Sequence, residues 1–341
     1  MGTSAENSKK YYENVDIIRG FAILLVVLGH ALATDNILTT DSEWCNVVHD
    51  FIYSFHMPLF FIISGFCYVH AGNYGKFFLR KCRYLLIPYM VFNLVTIVMQ
   101  RLLPFFTLVE NNLQEEIKQI LFRGGSIWFV YVLFEIVVIF PFFAKVINNN
   151  IGRACAVLIL SVVVYNLWGK STGFLCISQF TYYLPYYIIG HLLRILSEKD
   201  TEPLKILEKR QTKLLLGAVI LIADFGMLYV WNHFVWNVYI GYLLKVLVAL
   251  AGSTACYLLV SEISVLKIRH LLKQFGQYSL QIYLFNGYFI AVSRTLIFSV
   301  FHISNTPVLA TANFIAGLVC NYIWCYLILK IDFVKVLCGK R

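Results

Sequence analysis

The chain has 341 residues, 60% of them hydrophobic and only 13% charged, with a mean hydropathy of +0.73. Soluble globular chains carry about 25% charged residues, so a soluble domain is excluded. The net charge of +10 is scattered between apolar runs without a basic aromatic module, which argues against nucleic acid as a partner. An all-α, polytopic membrane bundle remains, with the lipid bilayer as its first partner.

Windows of about 20 apolar residues predict ten transmembrane helices, near 15–33, 48–69, 84–103, 127–147, 154–169, 180–197, 214–232, 238–260, 277–299 and 308–330. Together they read as one integral membrane domain over 1–341. Residues 1–14, 198–213 and 331–341 form its cytoplasmic N-terminal segment, loop and tail.

The first span holds Arg19 and His30 with ten apolar or small residues between them. On a helix this spacing sets both side chains within about 20° of each other and about 16 Å apart along the axis. Arg at the middle of a membrane helix costs on the order of 2.5–3.5 kcal/mol, so a functional site is the default reading. Asp16, three residues before Arg19, is the nearer local partner for the guanidinium. The stretch is too long for a signal-peptide core and no small-residue cleavage site follows it, so it is expected to stay as an anchor.

The second span reads His56-Met57-Pro58-Leu59-Phe60-Phe61-Ile62-Ile63-Ser64-Gly65. It places a second imidazole at a depth that approaches His30, so two histidines could face one cavity. A hydrogen-bonded packing histidine is the competing reading. Before the third span come Lys76, Arg80, Lys81 and Arg83. Such a cluster serves as a topology determinant on anionic lipid, or as a landing site for an anionic cytosolic donor, since Arg clamps phosphate bidentately.

Glu135 lies at the middle of the fourth span and needs a partner or water; Arg19 and the histidines are candidates, a structural ion pair the alternative. Asp224 and Lys245, in the seventh and eighth spans, read as such a structural pair. Gln281 and Asn286 put amides on the ninth helix, as bridges between helices or as substrate contacts. The nine cysteines are scattered singly with no metal-ligand cluster, and Cys45 and Cys176 fall on the same predicted side, which leaves room for one disulfide. No metal is expected.

Lys and Arg test the topology. Twenty-one fall on the side of the N-terminus and five on the other. Cytoplasmic loops are enriched in these residues, so both termini should be cytoplasmic, with Arg19 towards the inner leaflet and His30 near the outer surface.

These features resemble the acyltransferase-3 family. The resemblance is carried by Asp16 and Arg19-x10-His30, the His56 to Gly65 segment, Arg80-x-x-Arg83 before Pro88-Tyr89, and Ser279-Leu280-Gln281-Ile282-Tyr283. It covers nearly the full length and is nearest the fucose 4-O-acetylase-like branch. It implies a membrane O-acyltransferase of about ten spans that moves an acyl group, usually acetyl from acetyl-CoA, to a hydroxyl of a surface or exported carbohydrate. The necessary Arg and His of that family fall on Arg19 and His30, and the basic pair near the donor falls on Arg80 and Arg83, with Lys76 beside them. Many members end the late helix motif in histidine where this chain has Asn286, which weakens a catalytic role for that position.

Acyl transfer to an alcohol needs a base for the hydroxyl proton and donors for the oxyanion. His30 suits the base, and Glu135 or Asp16 could orient a ring or neutralise Arg19. Coenzyme A is cytosolic while His30 lies near the outer face, so either the acyl arm threads inward past Arg19 or a side chain such as His30 carries the acyl group. A proton-coupled transporter or glycan flippase would also use intramembrane His, Glu and Asp, although no inverted repeat supports it. A non-catalytic scaffold for polysaccharide assembly is a third class. The expected location is a bacterial cytoplasmic membrane.

Overall fold

The structure is a computed structural model that describes residues 13–32, 43–69, 72–103, 112–169, 174–198, 209–234, 236–303 and 305–340. The basic residues Lys9, Lys10, Lys170, Lys199, Lys205 and Arg341 lie outside them, as does most of 1–14 and of 198–213.

Hydrophobic runs become helices, five of which start after a capping asparagine. The helices are α1 (Glu13–Leu32), α2 (Glu43–Phe66), α3 (Tyr74–Leu102), α4 (Leu113–Arg123), α5 (Trp128–Ile147), α6 (Ile151–Gly169) and α7 (Ile177–Ser197). After them come α8 (Arg210–His233), α9 (Val238–Ser261), α10 (Leu266–Gln277), α11 (Ser279–Arg294), α12 (Thr306–Ile328) and α13 (Asp332–Leu337). Asn73, Asn112, Asn150, Asn237 and Asn305 each precede a helix and accept a hydrogen bond from a backbone N–H of its first turn, at 3.0 to 3.2 Å. That contact satisfies one of the donors a helix start leaves open. Gly124, at φ +80°, ends α4 in the left-handed conformation that glycine adopts without strain.

All ten expected spans are present as helices. Eight described helices are long and apolar enough to cross a bilayer. The other two are α7, whose tyrosines lower its hydropathy, and α11, which has 16 residues before a π-helical turn at Thr295–Val300. The chain is therefore a polytopic helical membrane bundle.

The first helix is the centre of that bundle: α2, α9, α10, α11 and α12 all pack on α1. Of its apolar window 61% is buried, against 17% for α6 and for α8, whose large side chains face outward, as Leu215 and Ile222 do. Such apolar exterior is what lipid tails solvate. Helices approach closely where side chains vanish. A Cβ on Gly20 would strike the Leu272 carbonyl of α10, and one on Gly276 the Asp16 carbonyl of α1. Gly65 meets the Tyr187 carbonyl of α7 and Gly190 the Ile62 carbonyl of α2 in the same way. Because backbone cannot yield as a flexible side chain does, Gly190→Val should separate α2 from α7, with overpacking costs of roughly 1–3 kcal/mol or more. A thermal unfolding midpoint in detergent equal to that of the native chain would refute this.

Neither the Asp224–Lys245 ion pair nor the disulfide for which the sequence left room is formed. Asp224 is fully buried with no hydrogen-bond partner for either carboxylate oxygen, while the Lys245 ammonium lies 4.9 Å from the Trp231 ring centroid. The two lie on adjacent antiparallel helices but meet different neighbours, because Lys245 reaches an aromatic face instead. No disulfide links Cys45 to Cys176. Cys45 packs with Leu32 and Ala310, whereas the Cys176 sulfur sits at the Gly124 turn beside Trp128.

Candidate functional site

The stripe of α1 that sequence spacing singles out is the wall of a cleft. A cavity of about 580 Å³ is lined by Asp16, Arg19, Ile23 and Val26 of α1. These positions recur at three- and four-residue intervals, so they share one helix face, and the next position on that face is His30. A second cavity of about 530 Å³ shares Arg19, Ser64, Leu85, Leu133, Leu280 and Gly339 with the first. Arg19 thus stands where the two meet. Its Nη1 donates to Asp16 Oδ1 at 3.1 Å, the local partner expected from sequence, and its Nη2 approaches Cys67 Sγ at 3.8 Å. A guanidinium has five N–H donors in a fixed fork, so Arg19 keeps donors for an anion in the cleft. Close packing of Gly20 on α10 fixes the adjacent backbone.

Three cations line the smaller cavity beyond Arg19: Lys76, Arg80 and Lys81. The aromatic ring of Phe77 supports two of them, with Arg80 Cζ and Lys81 Nζ 5.7 and 5.3 Å from its centroid. Arg83 is exposed and does not line either cavity, although sequence grouped it with Arg80. Lys76, Phe77, Arg80, Lys81 and Tyr84 share one face at ordinary helical spacing, and at 100° per residue Arg83 falls outside it. Lys81, beside Arg80 in the same basic cluster, lines the cleft.

At the far end of α1, His30 is exposed and belongs to an imidazole and tyrosine cluster. Tyr53 is its hub: its ring centroid is 3.9 Å from His49, 4.8 Å from His56 and 6.4 Å from His30. The expected approach of His30 and His56 is therefore present, around a tyrosine rather than around the cavity. His56 is buried, and its Nδ1 bonds the Ile52 carbonyl at 2.7 Å. A carbonyl only accepts, so Nδ1 carries the proton and Nε2 of the neutral ring is the acceptor. The larger cavity ends at Val26 and Met57, one residue short of His56 and one helical turn, about 6 Å, short of His30. Phe60, Phe129 and Tyr283 line the same cavity, with centroid separations of 5.7 and 5.5 Å along the series.

Glu135 is not brought to the cleft. It bonds Tyr131 on the face of α5 opposite to Leu133 and Val137, which line the cavities. Successive helix positions turn by 100°, so a carboxylate two residues from Leu133 and two from Val137 points away from both. Of the late amides, Gln281 lines the larger cavity and donates to the Cys338 carbonyl at 2.9 Å, while the buried Asn286 faces the Gly317 backbone of α12. Both therefore act between segments of the bundle. Ser64, Gln277 and Lys340 also line the cleft without having been marked as candidates; only the motif around Ser64 signalled one of them.

A family model described as an acyltransferase domain matches residues 12–330, nearly the whole chain and every element that builds the cleft except the segment carrying Gly339 and Lys340. The chain belongs to the acyltransferase-3 family. The chain is similar to a nodulation protein NolL of Sinorhizobium fredii, with 30% identity over 186 residues, 52% of this chain and 47% of that protein. It is also similar to a NolL of Mesorhizobium japonicum, with 43% identity over 51 residues, 15% of this chain and 14% of that one. The matched region thus spans about half or less of these relatives. No solved structure matches this chain.

Proposed function

We propose that this acyltransferase carries an acetyl group from cytosolic acetyl-CoA to a hydroxyl of an extracytoplasmic or lipid-linked carbohydrate, with His30 as the base. The observation that carries the reading is the cleft along α1, which begins at cations and ends one turn below His30. Basic residues facing that end of the bundle, Arg194 and Arg269 among them, support a cytoplasmic assignment, and both termini with it. The lysines and arginine around Phe77 would hold phosphate groups as charge-assisted hydrogen-bond donors. The acyl arm would pass Arg19 and lie against Ile23, Val26 and Met57, whose apolar walls suit a thioester.

His30 accepts the proton of the sugar hydroxyl as its oxygen attacks the thioester carbonyl. A C–O bond forms, the C–S bond breaks, and coenzyme A leaves as the thiol with the proton that His30 took up. The cavity ends at Val26 and Met57, so a side chain there must move for the thioester to arrive; Met57 is unbranched and adaptable. The setting is a bacterial cytoplasmic membrane. A transporter or flippase has no comparable support, because the matched family model is described as an acyltransferase domain.

Mass spectrometry of envelope glycans from cells with and without the protein tests the reaction. A difference of one acetyl mass on one sugar is expected, and identical glycans would refute the proposal. The route has its own test. Val26→Phe should plug the cavity, leaving acetyl-CoA binding within about threefold while lowering glycan acetylation by about tenfold, since one added ring in a filled channel costs of order 1–3 kcal/mol. Undiminished acetylation by this variant would place the path elsewhere.

A further inference from the structure

The segment after α12 folds back into the cleft. Gly339, at φ +66°, lies against the Tyr84 carbonyl, and Pro88 four residues on has no N–H to bond that carbonyl. The Cys338 carbonyl accepts from Gln281, and Gly339 lines both cavities. This brings Lys340 to the wall of the larger cavity, half-buried, where the other charged lining residues are Asp16 and Arg19.

The Lys340 ammonium donates to the Gln277 carbonyl at 2.7 Å and lies 3.6 Å from the Tyr278 ring centroid. Neither contact carries a full negative charge. Asp16 is already engaged by Arg19, and no carboxylate among the described residues lies within ion-pair distance of Lys340. Burial disfavours the charged form and lowers the pKa of this lysine, with Asp16 opposing the shift. A half-desolvated cation on a cavity wall, whose nearest described carboxylate is already bonded to Arg19, is stabilised by an anion in that cavity. Lysine also terminates α10 here, and a cation at a helix C-terminus has that structural use too.

We propose that Lys340 binds a phosphate group of the acyl donor in the larger cavity, so that cations of both cavities hold the donor with Arg19 common to the two. This rests on the reading of the protein as an acyl-CoA-dependent transferase. Lys340 is then part of the donor site rather than only a clasp for the C-terminal segment.

The test uses the full chain in phosphatidylcholine nanodiscs. It compares binding of acetyl-CoA with that of millimolar S-acetylpantetheine, which keeps the thioester and arm but lacks every phosphate. Lys340→Gln should weaken acetyl-CoA binding about tenfold, the size of one charge-assisted hydrogen bond, and leave S-acetylpantetheine within twofold. Lys340→Arg should stay within threefold of the native chain for both. Equal weakening of both ligands by Lys340→Gln, or a matching fall in thermal midpoint, makes the lysine a structural clasp and overturns the proposal. Native-like acetyl-CoA binding by Lys340→Gln overturns it too, while leaving the transferase reading intact. A loss seen only when phosphatidylglycerol is added assigns the phosphate to lipid and overturns the donor assignment. Failure of the native chain to bind acetyl-CoA overturns this proposal and the reading beneath it together.

Discussion

His30→Ala should reduce glycan acetylation by roughly 10²–10⁴-fold, the range associated with a positioned general base, while acetyl-CoA binding stays within about twofold of the native chain. The separation of the two effects follows from geometry. The cations proposed to hold the donor lie towards the α1 N-terminal end, and His30 stands eleven residues beyond Arg19 on an unbroken helix, at its exposed end. Truncating an exposed side chain there leaves no cavity in the core, so folding is expected to survive. The measurement pairs acetyl-CoA binding by purified protein with mass spectrometry of glycans from cells that carry the variant at equal membrane abundance. Full acetylation would remove His30 from the mechanism. His56→Ala should behave differently: His56 is buried and bonded to Ile52, so its loss is expected to show first in stability.

How much of this was legible beforehand depended on which physical signal each residue left in the chain. Ten apolar windows mapped onto ten helices because a membrane helix must satisfy its backbone internally and face lipid, and both demands are written in hydropathy. The helices α4, α10 and α13 escaped because they are short and polar, although Asn112 and Gly124 bracket α4 with a readable start and stop. The α1 stripe was legible, since Arg19 and His30 report their own phase on a regular helix. Arg83 does not line the cleft, because a run of basic residues gives depth along the helix and not which of them share the lining face. Glu135 misled for a similar reason: hydropathy gives its depth, not its direction, and the lining positions Leu133 and Val137 fix that direction only once the cleft is known. Lys340 was counted for its charge alone, because the fold-back that carries it into the cleft depends on contacts with α3 and α11, distant in sequence.

Arg19→Gln should abolish detectable glycan acetylation by a different route, through loss of the donor. A hydrogen bond to a charged group contributes about 1.5–3 kcal/mol, or roughly 10- to 100-fold in affinity, and the guanidinium fork can make two to one phosphate or carbonyl. Glutamine matches much of the length but has neither the charge nor the fork. Arg19→Lys restores the charge without the planar pair of donors and should recover only part of the affinity. The Asp16 contact confounds the single variant, since removing the guanidinium also removes the partner of a carboxylate only 9% exposed. Asp16→Asn with Arg19→Gln removes that strain: if it restores the thermal midpoint but not acetyl-CoA binding, the guanidinium acts on the donor. Native acetyl-CoA affinity in either variant would leave Arg19 a structural ion pair. Against His30→Ala, which keeps binding and loses transfer, this variant loses both, and that contrast separates the station that holds the acyl group from the station that delivers it.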